Sequence, residues 1–343
     1  MQKTEQARKH SLSLASNDFY ANDITEIVGG TPLVKIRRMT ADRGIEATVL
    51  VKLEFLNPTG SVKDRMAVYV LTEAVRSGEL KPGGTIVEAT SGNTGAGVAM
   101  FAAAYGYRAI LTIPDKMSRE KVDMLKAFGA EVHICPTNVP ADSPESYYET
   151  GKRLHRETPN SYWVGQYFNQ NNIDAHYRTT GPEIWSQTGG QFDILVGGIG
   201  TGGTVSGIAR FLKEKRPEIE IVAVDPVGSV YYNYYRDKTL IEPSTYMVEG
   251  IGDDMICPTL DFSVIDKIYQ VTDKECFLAG RELTRKEGIF SGGSSGAVIH
   301  VALKHAEKLG PDKTIVVILP DSGMKYISKM FNDDWMREKG FLE

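Results

Sequence analysis

At 343 residues the chain is long for a single core and suits two domains or one large α/β unit. It is 41% hydrophobic and 24% charged, as soluble globular proteins are. A net charge of −5 without any Lys/Arg block argues against nucleic acid as a partner, and the longest apolar stretch, Ala96 to Tyr105, is about half of what a membrane span needs.

Residues 1–23 read as a polar arm without the apolar core of a signal peptide. The first strand is predicted over Ala47–Leu53, and the turn Asn57-Pro58-Thr59-Gly60 ends it. Ser61 is placed to cap a helix, with Asp64 completing a variant of the capping box. Val62, Met66, Tyr69, Val70 and Ala74 then share one apolar stripe, over a helix Met66–Arg76 that stops at Gly78. This puts Lys63 in the first helical turn, where the macrodipole disfavours a cation by a few tenths to about 1 kcal/mol. A lysine of lowered pKa offers the neutral amine that imine chemistry requires. Taken alone, the segment fits a solvated surface lysine better.

The strand Thr85–Glu88 is followed by Thr90-Ser91-Gly92-Asn93-Thr94-Gly95, whose small residues and hydroxyls suit a carboxylate at a helix N-terminus. A plain helix cap is the competing reading. Next come the strand Ala109–Ile113, the helix Arg119–Phe128 and the strand Glu131–Cys135, then a polar, aromatic-rich connection from Pro140 to Tyr177.

A strand over Phe192–Gly197 leads into Gly197-Gly198-Ile199-Gly200-Thr201-Gly202-Gly203-Thr204, a phosphate cradle entering a helix. Gly198, Gly200 and Gly203 also spell Gly-x-Gly-x-x-Gly, with Asp225 about 20 residues on, so a nicotinamide dinucleotide site is a competitor. The helix Gly207–Lys215, the strand Ile219–Val224 and the helix Lys274–Lys286 follow. Ser291-Gly292-Gly293-Ser294-Ser295-Gly296 opens a helix over Val298–Lys308, and the strand Thr314–Leu319 ends at Pro320-Asp321-Ser322-Gly323.

This alternation predicts an α/β protein of two doubly wound domains with mostly parallel sheets. Residues 46–175 are expected to form a smaller, mobile unit, and residues 1–45 with 176–343 a larger one. Cys135, Cys257 and Cys276 are widely spaced, without Cys-x-x-Cys, so neither a disulfide framework nor a metal site is expected and a reducing cytoplasm is. A dehydrogenase would use only the loop at 197–204. A pyridoxal phosphate enzyme would use an imine-forming lysine, a phosphate cradle, a carboxylate loop and a hydroxyl facing the pyridine nitrogen.

Ser61-Val62-Lys63-Asp64-Arg65, Thr90–Gly95, Gly200–Thr204 and Gly292–Gly296 resemble, in that order, the β-family of pyridoxal phosphate enzymes, fold type II, the fold of the tryptophan synthase β-subunit. Within it, Asp142–Ser146, Gln166-Tyr167, Val224–Pro226, Val248–Gly252 and Ile318–Ser322 are most similar to the cystathionine β-synthase catalytic cores, with the cysteine synthases next. Thr180–Trp185 is more like the cysteine synthases.

The resemblance implies pyridoxal 5′-phosphate as cofactor, Lys63 as the catalytic and cofactor-bearing lysine, and a β-replacement on serine or O-acetylserine by a thiol, through an aminoacrylate. It assigns Asn93 to the ring hydroxyl, Gly200, Thr201, Gly202, Gly203 and Thr204 to the phosphate, and Ser294 to the pyridine nitrogen. Thr90, Ser91, Gly92, Thr94, Gln166, Tyr167 and Gly250 are assigned to the amino-acid substrates. A homodimer is implied, and the Tyr231–Tyr235 run suits a substrate mouth or a subunit contact, the contact being favoured because aromatics are enriched at interfaces. Asp64, Arg65 and Asp225 read as structural rather than catalytic. The arm carries no cysteine, so no haem is expected, and no region resembles the adenosyl-ligand regulatory domains of longer relatives. Asp253 follows Gly252 where the cystathionine enzymes carry a tyrosine, beside the expected channel for the second substrate.

Overall fold

The computed structural model describes residues 20–140 and 142–343, so most of the polar arm predicted for residues 1–23 lies outside the described residues. The strands are β1 (Leu33–Lys35), β2 (Thr48–Leu53), β3 (Thr85–Ala89), β4 (Arg108–Pro114), β5 (Glu131–Cys135), β6 (Ser161–Trp163), β7 (Ile194–Gly198), β8 (Glu220–Pro226), β9 (Lys267–Val271) and β10 (Thr314–Leu319).

A six-stranded sheet runs β1-β2-β10-β7-β8-β9 and a four-stranded sheet runs β5-β4-β3-β6. All pairings are parallel except β1 with β2. Burial on both faces explains the runs Val49–Leu53 and Ile315–Leu319, since a parallel strand under helices has no solvent side. One face of the larger sheet packs Val196, Val224 and Val317 against the helices Asp273–Glu287 and Gly293–Ala306; the other packs Leu195, Ala223 and Val316 against the helix Gly203–Lys215.

Strand pairing corrects one boundary. β2, predicted within residues 46–175, joins the six-stranded sheet through a six-residue register with β10. Its own helix, Lys63–Ser77, leaves that sheet and buries Met66, Val70, Leu71 and Ala74 in the core of the smaller one. Lys63 therefore stands where the chain passes from one unit to the other. The stretch 140–177 is no simple connection either: it holds the helix Tyr147–Glu157, β6 and the helix Asn171–Arg178.

The expected capping box does not form. Val62 is the N-cap, and Ser61 Oγ accepts only from the Lys63 N–H at 3.3 Å. Asp64 instead turns back to accept the Thr59 N–H at 2.7 Å and the Thr59 hydroxyl, pinning the turn that precedes the helix.

The helices Asp273–Glu287 and Gly293–Ala306 approach closely through glycine. A Cβ on Gly296 would stand 1.9 Å from the Cys276 carbonyl oxygen and 2.7 Å from the Gly280 nitrogen. Both are backbone atoms that cannot swing aside, so Gly296→Ala should destabilise the protein by about 1–3 kcal/mol or more. Urea unfolding checks this; an unchanged midpoint would mean that the helices slide apart freely.

Candidate active site

The carboxyl ends of the parallel strands are where loops can converge on a ligand. β2 leads to Lys63, β7 to the glycine loop at 198–202, β10 to Asp321, and β3 to the loop at 90–92.

The Lys63 amine makes no hydrogen bond or ion pair among the described residues, and burial lowers its pKa to about 8, against weak opposition from Cys257. Desolvation is thus the cause of the shift that the sequence attributes to the helix dipole. An amine with this acidity is substantially neutral near pH 8, as nucleophilic attack on a carbonyl requires.

In the loop after β7, the N–H groups of Gly200, Thr201 and Gly202 donate to no backbone or side-chain acceptor among the described residues. The loop is held firmly: Thr201 Oγ accepts from Asn172 Nδ2 at 3.0 Å, the Thr201 carbonyl from the Thr259 hydroxyl at 2.6 Å, and the Gly200 carbonyl from the Tyr231 hydroxyl at 2.7 Å. Gly202 sits at φ +87°, and a Cβ there would lie 2.5 Å from Leu260 Cβ. A Cβ on Gly203 would lie 2.2 Å from Asn172 Oδ1. Thr204 Oγ pairs with His176 Nε2 at 3.1 Å, and burial holds His176 well below the usual imidazole range. Unpaired donors at a helix N-terminus, in a loop whose glycines have no room for a Cβ, fit a phosphate group.

The loop after β3 is ordered by Thr90, whose Oγ accepts the N–H of Gly92 at 2.9 Å and of Gly95 at 3.0 Å. Gly92 stands at φ +118° against the Lys121 stem, and a Cβ on it would lie 2.7 Å from Lys121 Cδ, so only glycine fits. Ser91 is half-buried beside it. Thr94 donates its hydroxyl to Gln166 Oε1 at 2.6 Å, and Gln166 Nε2 donates to the Ala89 carbonyl at 3.0 Å. The Gln166 carbonyl in turn accepts from Asn172, the residue that holds Thr201. A continuous set of hydrogen bonds thus links the loops expected to hold carboxylate and phosphate. Behind it, Glu88 accepts the Gly165 N–H at 2.7 Å, and burial lifts its pKa to about 8.

Asn93 is clamped from the other unit. Its Nδ2 donates to Asp321 Oδ2 at 2.8 Å and its Oδ1 accepts from Lys325 Nζ at 2.6 Å. A carboxylate only accepts and an ammonium only donates, which fixes the amide orientation. The Tyr326 hydroxyl also donates to Asp321 Oδ2 at 2.6 Å, while Asp321 Oδ1 is buried without a hydrogen-bond partner among the described residues. Ser294 is buried at the start of the helix Gly293–Ala306, with no hydrogen bond for its hydroxyl among the described residues, 4.0 Å from where a Cβ on Gly250 would stand. Gly250, at φ +88°, also backs Gly200. Tyr167 turns its hydroxyl to that of Tyr147 at 3.2 Å.

The residues singled out in the sequence therefore gather at one junction. Lys325, Asn172, His176 and Tyr147 belong to the same surroundings and carry no spacing signal of their own. Tyr231, read as part of a subunit contact, is instead buried against the cradle. Arg65 forks between Glu54 and Glu183, and Asp225 accepts the Tyr232 N–H, in structural roles. Among the described residues no helix is long and apolar enough to cross a membrane.

The profile of the pyridoxal-phosphate dependent enzyme family matches residues 24–321. The chain is 47% identical over 331 residues to cystathionine beta-synthase of Oryctolagus cuniculus, covering 96% of this chain and 60% of that protein. It is 41% identical to the O-acetylserine dependent cystathionine beta-synthase of Bacillus subtilis, over 90% of this chain and 96% of the relative. The crystal structure of the O-acetylserine dependent cystathionine beta-synthase from Helicobacter pylori superposes with a TM-score of 0.83 at 35% identity, covering 91% of this chain and 99% of that one. The chain spans about three fifths of the length of the mammalian relatives. It belongs to the pyridoxal-phosphate-dependent enzymes of fold type II, and pyridoxal phosphate is its cofactor.

Proposed function

We propose that this enzyme performs a β-replacement on serine or O-acetylserine with a thiol as the incoming group, in the first instance forming L-cystathionine from L-serine and L-homocysteine. The observation that supports this reading is the unpaired, desolvated Lys63 amine at the passage between two units, each with a loop of small residues at the end of a parallel strand, the one at 200–202 with N–H groups that find no protein acceptor among the described residues. Bound there, pyridoxal phosphate supplies an electron sink that acidifies the substrate Cα–H.

The cradle Gly200–Thr204 would hold the phosphate, Asn93 the ring hydroxyl oxygen and Ser294 the ring nitrogen, with Lys63 as the covalent anchor. Thr90, Ser91, Gly92, Thr94 and Gln166 take the substrate carboxylate, with Tyr167 and Gly250 at the substrate's flank. The Lys63 amine, buried and of lowered pKa, would take up the substrate Cα proton. As an ammonium it then protonates a departing hydroxide, help that a good leaving group such as acetate does not need. Ser294 would meet the ring nitrogen with a neutral hydroxyl rather than a carboxylate, and so would add no charge there. The residues of the smaller sheet, closing over the carboxylate, exclude water from the reactive product of elimination. The three cysteines are free and buried, which supports a reducing cytoplasm, and we assign the protein there as a homodimer.

The two relatives named for O-acetylserine support that donor as the second candidate, and cysteine synthase, using O-acetylserine and sulfide, as the alternative activity. Purified protein incubated with each donor and each nucleophile separates them by product. Cystathionine from serine and homocysteine is the expected result. No cystathionine from either donor would overturn the assignment, and a much higher kcat/KM with O-acetylserine plus sulfide would move it to cysteine synthase.

A further inference from the structure

The smaller unit is fastened to the larger one beside the loop at 90–95, and the fastening is charged. The helix Arg119–Ala127 buries Leu125 in the core of the smaller unit, while its first turn is held from the larger unit at three points. Ser118, the N-cap, donates its hydroxyl to the Lys325 carbonyl at 3.1 Å. Lys121 Nζ reaches Glu249 Oε2 at 2.6 Å. Lys329 Nζ donates to Glu249 Oε1 at 2.7 Å and to the Lys116 carbonyl at 3.2 Å, so it touches both units. Glu249 and Lys329 stand beside Val248 and Met330 of the larger core. The Lys121 and Glu249 side chains keep only 1% and 7% of their surface in solvent, and Lys121 Nζ lies 5.1 Å from the Tyr326 ring centre, which also welcomes a cation. Burial alone would raise the Glu249 pKa, yet Lys121 and Lys329 hold it below the usual glutamate value.

The two ends of this ion pair abut the two loops of the site. A Cβ on Gly92 would meet Cδ, Cγ and Cβ of Lys121 at 2.7, 3.1 and 3.2 Å, so the lysine stem is the surface on which the loop at 90–95 rests. At the other end, Glu249 precedes Gly250, whose carbonyl oxygen would stand 2.8 Å from a Cβ on Gly200. Stability does not account for charge at this place, because apolar groups of similar volume often replace a buried ion pair without loss. A methionine stem would support Gly92 as well. What the ammonium adds is a fixed partner, and that partner decides where the helix, and the loop resting on it, stand against the larger unit.

We propose that Lys121 and Glu249 are positioning residues: their ion pair holds the loop at 90–95 where it receives the carboxylate of the first amino-acid substrate, and so sets the affinity for that substrate. This rests on the β-replacement reading above. Neither side chain touches the substrate; both act through Gly92 and the backbone around it. With the pair broken, the loop keeps its internal bonds from Thr90 Oγ to the Gly92 and Gly95 N–H groups but loses its fixed distance from the larger unit. A carboxylate subsite of N–H and hydroxyl donors works only while those donors stay aimed at one point.

The test titrates the wild-type holoenzyme, Lys121→Met, Glu249→Gln and the double variant with serine and with O-acetylserine, following the visible cofactor band. Lys121→Met keeps a stem on Gly92 and leaves Glu249 paired with Lys329, so it should fold and show the wild-type band before substrate is added. It should weaken binding of the first substrate by about tenfold, a moderate effect for one buried charge-assisted contact. The KM for that substrate should rise to match, with kcat and the KM for homocysteine within about twofold of wild type. Glu249→Gln should act in the same direction, and the double variant should bind no worse than the weaker single variant, since the two residues work as one pair. Unchanged affinity in Lys121→Met, an equal rise in the KM of both substrates, or additive losses in the double variant would overturn the proposal while leaving β-replacement intact. A wild type whose band responds to neither serine nor O-acetylserine would overturn both.

Discussion

Lys63→Ala should reduce product formation by about 10³-fold or more, because in the proposed mechanism one group supplies both the covalent anchor and the proton transfers. The protein should still fold. The Lys63 amine bonds to nothing among the described residues, and alanine is the best helix former for the first turn of Lys63–Ser77. Borohydride reduction followed by peptide mapping gives an independent readout: the wild type should carry the cofactor on the peptide containing Lys63, and the variant should carry none. Turnover within tenfold of the wild type would place the reacting amine elsewhere, and the other recessed lysine beside Asn93, Lys325, would be the residue to examine.

Arg65→Ala should be the most destabilising single change near the site, by about 3–5 kcal/mol in denaturant unfolding. The Arg65 guanidinium reaches Glu54 at 2.7 and 2.8 Å and Glu183 at 2.8 and 2.7 Å, with Arg65 and Glu54 almost wholly removed from solvent. Lys52 adds a contact to Glu183 at 2.8 Å, and the Thr31 hydroxyl donates to Glu54 at 2.6 Å. Desolvation alone would raise the Glu183 pKa, yet Arg65 and Lys52 bring it down to about 2. Removing the guanidinium leaves Glu54 buried and without its charge partner, which is the expensive outcome. Arg65→Lys should recover only part of the loss, since one ammonium cannot fork between two carboxylates. A change below about 1 kcal/mol for Arg65→Ala would show that water or another cation enters the gap.

This network ties the end of β2, the Lys63 helix and the helix Thr180–Thr188 into one block, so Lys63 is supported two residues away by buried charge. That arrangement was only half legible in the sequence. The motif order Lys63, Thr90–Thr94, Gly200–Thr204 and Ser294 carried the family resemblance, which the family match over residues 24–321 shows to be right. The strands β2, β3, β4, β7, β8 and β10 were visible as apolar runs because strands largely buried between helices can carry little else, while the exposed edge strand β5 was visible only through Val132 and Ile134.

The short strands β1, β6 and β9 were not, since Leu33–Lys35 and Ser161–Trp163 have three residues each and Lys267–Val271 alternates weakly at a sheet edge. The membership of β2 was hidden as well. Local sequence fixes that a strand precedes Lys63, but its partner β10 lies more than 250 residues away, and only tertiary pairing decides it. The supports of the site were hidden for a related reason. Asn172 joins Gln166 to Thr201, and Lys325 and Asp321 orient Asn93, through contacts that no periodicity or spacing encodes. Asp64 shows the limit of local rules from the other side: its spacing from Ser61 suits a capping box, yet its carboxylate finds two donors on Thr59 and closes the turn instead.

The most direct test of the central claim is the visible absorption of the purified holoenzyme, recorded alone, with serine, and then with homocysteine. The account predicts a cofactor band that shifts on adding serine alone and returns when homocysteine is added, with cystathionine appearing in step with the return. A colourless protein that instead binds a nicotinamide dinucleotide through Gly198–Gly203, or a cofactor band that neither serine nor O-acetylserine perturbs, would contradict it.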